Sequence, residues 1–136
     1  MARETQSRGG RELTGEHRHE TLDRSFRHAF DGIAAVIRRE RNMKIHLVMA
    51  ALVVIAGIVL KIAAFEWLIC LVLFGMVMGL EMVNTAMECT VDLVTEDKKQ
   101  LAKLAKDAAA GAVLVSAIMA AIAGLIIFLP KIAALF

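Results

Sequence analysis

The apolar residues of this chain fall mainly in three long runs. The runs cover about residues 45–64, 65–94 and 107–129. A helix that rises 1.5 Å per residue needs about 20 predominantly apolar residues to cross about 30 Å of hydrocarbon, and each run is long enough or nearly so. The pattern therefore predicts an all-α membrane protein with three transmembrane helices.

Ahead of these runs, apolar residues recur at helical spacing. The residues that share one face are Leu22, Phe26, Phe30, Ile33 and Ile37. This spacing predicts an amphipathic helix over residues 21–39 that lies on the membrane surface, with packing against protein as the alternative. Residues 1–20 are polar and are predicted to form a mobile tail. Residues 21–136 are then expected to form a single membrane domain.

The second run carries a polar stripe in its carboxyl-terminal half. Its members are Glu81, Asn84, Thr85, Glu88 and Asp92. At about 100° per residue, these positions fall within roughly 100° of one another and share one helix face. Ionisable groups at membrane depth are costly and usually face a bundle interior or a wet cavity. The stripe is therefore the first candidate for a functional site.

Composition and charge agree with a membrane location and orient the helices. The chain has 136 residues, of which 58% are hydrophobic, more than a soluble core of this size would bury. Ten of the sixteen Lys and Arg residues lie in residues 1–44, and the link at 95–106 is rich in Lys. The positive-inside rule places the amino terminus and this link in the cytoplasm and the carboxyl terminus outside the cell membrane. Aromatic residues are too few for base stacking, so no nucleic-acid partner is expected.

This orientation places the stripe at the cytoplasmic boundary. Span two enters from the outer side near Phe65, so Glu81 lies about 24 Å along the helix axis and Asp92 about 40 Å. Other polar candidates at the same level are Glu40, His46, Lys106 and Asp107. Carboxylate and amide oxygens suit Mg²⁺, and a Lys at a helix entry can neutralise a phosphate. These are the parts that phosphoryl transfer needs, while the absence of a glycine-rich phosphate loop excludes a soluble nucleotide fold.

Two motifs carry a resemblance to a known family. The first is Glu81-x-x-Asn84-Thr85-Ala86-x-Glu88-x-x-x-Asp92, and the second is AKDAAAGAV over residues 105–113. Over roughly residues 21–130, the chain resembles the small prokaryotic lipid kinases of the diacylglycerol kinase and undecaprenol kinase family. The resemblance implies a homotrimer whose active sites are shared between neighbouring protomers. It also implies a kinase that uses MgATP to phosphorylate a lipid hydroxyl at the cytoplasmic membrane face.

The resemblance further implies roles for individual residues. Glu81 matches the proposed catalytic base, and Glu40 and Glu88 match the metal-binding carboxylates of the nucleotide site. The remaining polar residues of the nucleotide and phosphate site are matched by Asn84, Asp92, Lys106 and Asp107. Glu81 is also the deepest acid of the stripe, so it can reach a hydroxyl whose tail stays in lipid.

The amino-terminal half departs from the enteric diacylglycerol kinases. Thr21 stands where those enzymes have an Arg, with Arg24 three residues on, and His46 stands where they have a second Glu on span one. The lipid contacts attributed to those positions do not transfer. The segments that look more like the undecaprenol kinases of Gram-positive bacteria are 40–42, 66–67, 90–93 and 124–130. The predicted reaction is phosphorylation of undecaprenol to undecaprenyl phosphate.

Two other functions stay open on the sequence. The first is diacylglycerol kinase activity, which would make phosphatidic acid. The second is an oligomeric cation channel or transporter subunit, although the apolar outer half of span two, Leu68–Leu80, offers no polar lining for an ion path. At residue level, Glu40 with Lys44 could form only a helix-surface pair, and Glu88 and Asp92 could be solvated residues of a helix that leaves the membrane.

Overall fold

The described part of the chain folds into four α-helices joined by short links. A computed structural model describes residues 17–95, 97 and 99–136, and of residues 17–21 it describes the backbone alone. The helices are α1 (His17–Arg39), α2 (Arg41–Val59), α3 (Ala64–Val94) and α4 (Gln100–Ala133). Most of the tail predicted for residues 1–20 lies outside the described residues, and α1 begins at His17, before the predicted start. The all-α prediction is confirmed.

Three of these helices, α2, α3 and α4, are long and apolar enough to cross a membrane. This confirms the prediction of three candidate spans. Helix α4 is longer than predicted, because it begins at Gln100 and runs through Pro130 to Ala133. Pro130 lies in the last turn, where little helix follows the backbone hydrogen bond that proline cannot make. The early start places Lys103 and Lys106 on the helix and not in a loop.

Helices α3 and α4 form the principal pair, and α2 packs mainly against α3. At the end remote from the polar stripe, Ile62, Cys70 and Ile127 form a buried apolar cluster. At the same end, Glu66 at the start of α3 pairs with Lys131 at the end of α4, with 3.0 Å between Oε2 and Nζ. The cluster and the ion pair fix the register of α3 against α4, and so the alignment of their polar ends.

The turn between α2 and α3 closes without a glycine at its left-handed position. Lys61 has a φ of 51°, and the amide of Ile62 donates to the carbonyl of Gly57 at 3.0 Å. The amide of Lys61 donates to the carbonyl of Ile58 at 3.3 Å. These two bonds make a Schellman ending, in which Gly is the usual residue at the position that Lys61 occupies.

Gly57 of α2 lies directly against the side chain of Trp67 on α3. A Cβ atom at this position would lie 2.7 Å from Cη2 and 2.8 Å from Cζ2 of Trp67. Gly57→Ala is therefore expected to destabilise the protein by about 1–3 kcal/mol through overpacking. Thermal unfolding in detergent micelles measures this effect. The matched control is Gly75→Ala on α3, where an added Cβ meets no atom within 4 Å. Equal melting temperatures for the two variants would contradict the close approach.

Candidate functional site

The polar stripe of α3 runs from a buried end to an exposed end. Glu81 is 1% exposed and Asn84 is 7% exposed, whereas Glu88 is half-buried and Asp92 is exposed. Thr85 is also buried, and its hydroxyl donates to the carbonyl oxygen of Glu81 at 3.0 Å. The hydroxyl of Thr85 is thus satisfied within its own helix. The buried side chains of the stripe that keep an oxygen atom free for a further hydrogen bond are Glu81 and Asn84.

Two buried oxygen atoms mark this end of the stripe. Among the described residues, Oε2 of Glu81 and Oδ1 of Asn84 are the buried side-chain polar atoms that have no hydrogen-bond partner. The amide nitrogen of Asn84 donates to Oε1 of Glu88 at 3.2 Å, which fixes the orientation of the amide. An unpaired buried polar atom costs about 1–3 kcal/mol. Both oxygens can therefore accept a hydrogen bond from a donor group outside the chain.

A small cavity of about 210 Å³ lies beside these two oxygens. Glu81 and Asn84 line it from α3, and Asn42 and His46 line it from α2. Apolar residues of α4, among them Val113, complete its wall. An acid, two amides and an imidazole around so small a space offer both donors and acceptors to a single hydroxyl group.

Two further carboxylates, Glu40 and Glu88, act electrostatically on Glu81, as does His46. Glu40 is a single extended residue between α1 and α2, with φ −91° and ψ 125°. The sequence pattern did not predict that this one residue separates the two helices. The break places the Glu40 carboxylate at the amino terminus of α2, where the helix dipole stabilises negative charge.

The surface pair of Glu40 and Lys44, which was one alternative from the sequence, is not formed. Oε1 of Glu40 lies 3.3 Å from Nε of Arg39, and Lys44 donates to the carbonyl oxygen of Arg38 at 2.8 Å. The last carbonyl groups of a helix have no partner within it, so the end of α1 takes the Lys44 ammonium group. Glu40 is therefore paired with Arg39 and not with Lys44.

Arg39 and Asn42 are further candidate site residues, which the sequence analysis did not name. Arg39 bridges two helices, because its Nη1 donates to Sγ of Cys89 at 3.3 Å. It therefore lies against α3 one residue beyond Glu88 and carries a fixed positive charge. The sequence feature that could have identified them is their position near Glu40, one residue before it and two residues after it. A cation and an amide that flank a candidate metal ligand are themselves candidates for nucleotide contact.

The end of α3 is joined to the start of α4 by an ion pair. Nζ of Lys106 lies 2.5 Å from Oδ1 of Asp92, and the two side chains are 35% and 59% exposed. Asp92 follows Glu88 by one helical turn, so the Lys106 ammonium group reaches the same face of α3. Asp107 instead pairs with Lys103 on its own helix. The structure thus gathers Glu40, Glu81, Asn84 and Glu88, holds Lys106 with Asp92 at the next turn, and directs Asp107 toward Lys103.

The carboxylates Glu40 and Glu88 fit an ion that binds oxygen ligands. The contacts described above engage only Oε1 of each group, with Arg39 and Asn84 respectively. Within the described residues, no group of three or more His, Cys, Asp or Glu side chains could hold a metal ion. Mg²⁺ commonly takes one or two carboxylates and completes its octahedral shell with phosphate oxygens and water. The two carboxylates of Glu40 and Glu88 fit this mode of binding, in which the nucleotide supplies the remaining ligands.

Comparison with known proteins relates this site to a family. The sequence model of the family described as prokaryotic diacylglycerol kinase matches residues 27–128 of this chain. The undecaprenol kinase of Bacillus subtilis is 48% identical over 118 residues, which cover 85% of this chain and 96% of that protein. The diacylglycerol kinase of Synechocystis sp. is 40% identical over 112 residues, which cover 82% of this chain and 64% of that protein. The region that the family model matches contains every candidate site residue from Glu40 to Asp107.

Proposed function

Because the chain belongs to the prokaryotic diacylglycerol kinase family and is a lipid kinase, we propose that it transfers the γ-phosphoryl group of ATP to the hydroxyl of undecaprenol. The product is undecaprenyl phosphate. The observation that carries this proposal is the buried carboxylate of Glu81, which has an unpartnered oxygen beside a cavity large enough for a hydroxyl group. A carboxylate in such a place is suited to accept the proton of an alcohol.

In the proposed reaction, the alcohol oxygen attacks the γ-phosphorus of ATP while the bond from phosphorus to the β–γ bridging oxygen breaks, and ADP leaves. The hydroxyl proton passes to Oε2 of Glu81. Asn84 lines the same cavity, and the hydrogen bond from its amide nitrogen to Glu88 holds that carboxylate in place. Since most of the rate enhancement in phosphoryl transfer comes from positioning and charge stabilisation, these fixed contacts are the main contribution of α3.

Glu40 and Glu88 are the residues that would hold Mg²⁺. When bound, the ion neutralises charge on the phosphate oxygens. Lys106 reaches the same phosphates from the start of α4, and Asp92 holds its ammonium group in place. Asp107 is also proposed to belong to the nucleotide site. It would reach the site from α4, where it pairs with Lys103.

The proposed arrangement in the bilayer follows from charge and exposure. Phe26 and Phe30 are 65% and 68% exposed on α1, as an amphipathic helix on the membrane surface requires. The amino terminus and the 95–106 link are proposed to lie in the cytoplasm, and the carboxyl terminus outside. Residues 21–136 are proposed to act as one domain within a homotrimer that shares its active sites. Chemical cross-linking in native membranes, followed by denaturing electrophoresis, tests the trimer.

The substrate assignment is tested with purified protein in lipid nanodiscs. Labelled MgATP is supplied with either undecaprenol or diacylglycerol, and the label that enters lipid is followed. A higher kcat/KM for undecaprenol is expected, because the chain is 48% identical to the relative named undecaprenol kinase over 96% of that protein. A higher value for diacylglycerol would favour the second candidate function, to which the cyanobacterial relative points. Label in neither lipid would contradict both.

Glu88 provides a separate test of the metal site. Glu88→Ala is expected to weaken Mg²⁺-dependent binding of ATP by at least about tenfold, the lower range for loss of a group that supports a metal site. The binding of a fluorescent ATP analogue, titrated at several Mg²⁺ concentrations, measures the effect. Glu88→Gln is the matched variant, because its amide oxygen can still accept from Asn84 while the charge is gone. Normal MgATP binding by Glu88→Gln would show that the hydrogen bond, and not the charge, is what matters.

A further inference from the structure

A second and larger cavity of about 640 Å³ lies between α2, α3 and α4. Of the residues that line it, His46 alone carries nitrogen or oxygen in its side chain. The other lining residues are aliphatic, aromatic or sulfur-containing residues, together with Gly124. This cavity, here called the apolar groove, has the surface chemistry of a site for hydrocarbon.

The apolar groove and the small cavity beside Glu81 share part of their walls. Ile45, His46 and Ala117 line both of them. A molecule that places a hydroxyl group at Glu81 and extends into the apolar groove must therefore pass these three residues, which are here called the junction. His46 is the residue of the junction that can form side-chain hydrogen bonds.

The chemistry of the junction discriminates between kinds of alcohol. A prenol carries one hydroxyl group on a hydrocarbon chain, so every group that follows the hydroxyl suits apolar walls. Diacylglycerol carries two ester carbonyl groups within a few bonds of its hydroxyl. A buried carbonyl without a donor is costly, and the apolar groove beyond His46 offers no N–H or O–H group to it.

We propose that the junction of Ile45, His46 and Ala117 selects alcohols whose chain carries no second hydrogen-bonding group. His46 holds the hydroxyl oxygen at the mouth of the small cavity, and the apolar groove holds the hydrocarbon chain. The imidazole is engaged by the hydroxyl, so an ester carbonyl that follows has no partner. This inference rests on the proposed function, because it takes the acceptor to be a lipid alcohol at Glu81.

The selection is tested by placing a second donor at the junction. Ile45→Asn is expected to raise the ratio of kcat/KM for diacylglycerol over undecaprenol by about two- to tenfold, the value of one hydrogen bond. Ile45→Leu is the matched control, because it keeps the junction apolar and leaves the ratio unchanged. Ala117→Ser adds a donor from α4 and gives the same direction of change if Ile45→Asn does not fold. An unchanged ratio in the donor variants overturns the proposal, whereas label in neither lipid with the unmodified protein overturns the proposed function itself.

The part played by His46 has its own test. His46→Leu is expected to lower kcat/KM for undecaprenol by about tenfold, while the KM for ATP stays unchanged. His46→Gln keeps a side-chain donor and acceptor and is expected to recover most of the loss. Equal losses in the two variants, or a parallel rise in the KM for ATP, would mean that His46 supports the fold and does not hold the hydroxyl.

The occupant of the apolar groove is tested at its far end. A Cβ atom at Gly124 meets nothing within 4 Å, so a side chain can start from this position, and Gly124→Leu adds bulk to the apolar groove. The variant is expected to lower kcat/KM severalfold for undecaprenol and to leave that for the short prenol geraniol unchanged. Gly75→Ala, outside the groove, leaves both unchanged. If the helix of a second copy filled the groove, Gly124→Leu would reduce both activities together and alter the oligomeric state, and the proposal would fail.

Discussion

Replacing Glu81 with Gln is expected to lower kcat for lipid phosphorylation by about 100- to 10,000-fold, the contribution typical of a positioned general base. Gln has nearly the same size and keeps an acceptor oxygen, but it cannot take the hydroxyl proton. The KM for MgATP is expected to change little, because Mg²⁺ is assigned to Glu40 and Glu88 and the phosphate contact to Lys106. Steady-state kinetics with undecaprenol, together with equilibrium binding of an ATP analogue, separates the two effects.

The matched control for Glu81→Gln is Glu66→Gln, which makes the same substitution at the opposite end of α3. Glu66 accepts from the amide of Ala63 at 2.6 Å and pairs with Lys131, so its loss affects packing and not chemistry. Glu66→Gln should therefore retain near-normal turnover. If Glu81→Gln also kept its turnover within about tenfold of normal, the base assignment would be wrong. The buried carboxylate would then serve only to orient groups around it.

The stripe on α3 was predictable because helical periodicity is a local property. Five residues at fixed offsets must share a face once the segment is helical, and their order from Glu81 to Asp92 gave the order of burial. The three apolar spans were predictable for the same reason. The boundaries of the spans were less predictable, because α4 begins at Gln100, within a Lys-rich segment that resembles a loop in composition.

Two backbone features escaped the sequence because neither carries the usual residue. A left-handed helix ending is normally signalled by Gly, yet Lys61 takes that conformation here. The break before α2 consists of Glu40 alone, with no Pro or Gly to announce it. Contacts beyond the local sequence accompany each feature. Ile62, which follows Lys61, reaches the apolar cluster, and Lys44 of α2 donates to the carbonyl of Arg38 at the end of α1.

Partners across helices were also beyond the sequence. The spacing of residues gives the face on which a side chain lies but not the helix that faces it. Lys106 was predicted to neutralise a phosphate, but its pair with Asp92 required the observed register of α3 and α4. On the sequence, His46 was one of several polar candidates at the cytoplasmic boundary, and its place between two cavities emerged only from the packing of α2.

Lys106→Met is expected to lower kcat/KM for MgATP by about 100- to 1,000-fold, the effect of removing one preorganised group that stabilises the charge of a transition state. Asp92 holds the ammonium group one helical turn beyond Glu88, the carboxylate assigned to Mg²⁺, so Lys106 can reach the phosphates that the ion binds. Lys106→Arg keeps the charge but not its compact shape, so partial activity is expected. Steady-state kinetics with varied MgATP measures both variants.

The ion pair of Lys106 and Asp92 also allows a structural role to be separated from a catalytic one. If the pair only tied α3 to α4, Asp92→Asn would lose as much activity as Lys106→Met, the double variant would be no worse than either, and melting temperatures would fall with activity. If Lys106 acts on phosphate, Asp92→Asn leaves the ammonium group present and loses about tenfold at most, while the double variant resembles Lys106→Met. The second pattern is expected, since an exposed ion pair contributes at most about 1 kcal/mol to stability and cannot account for a 100-fold loss.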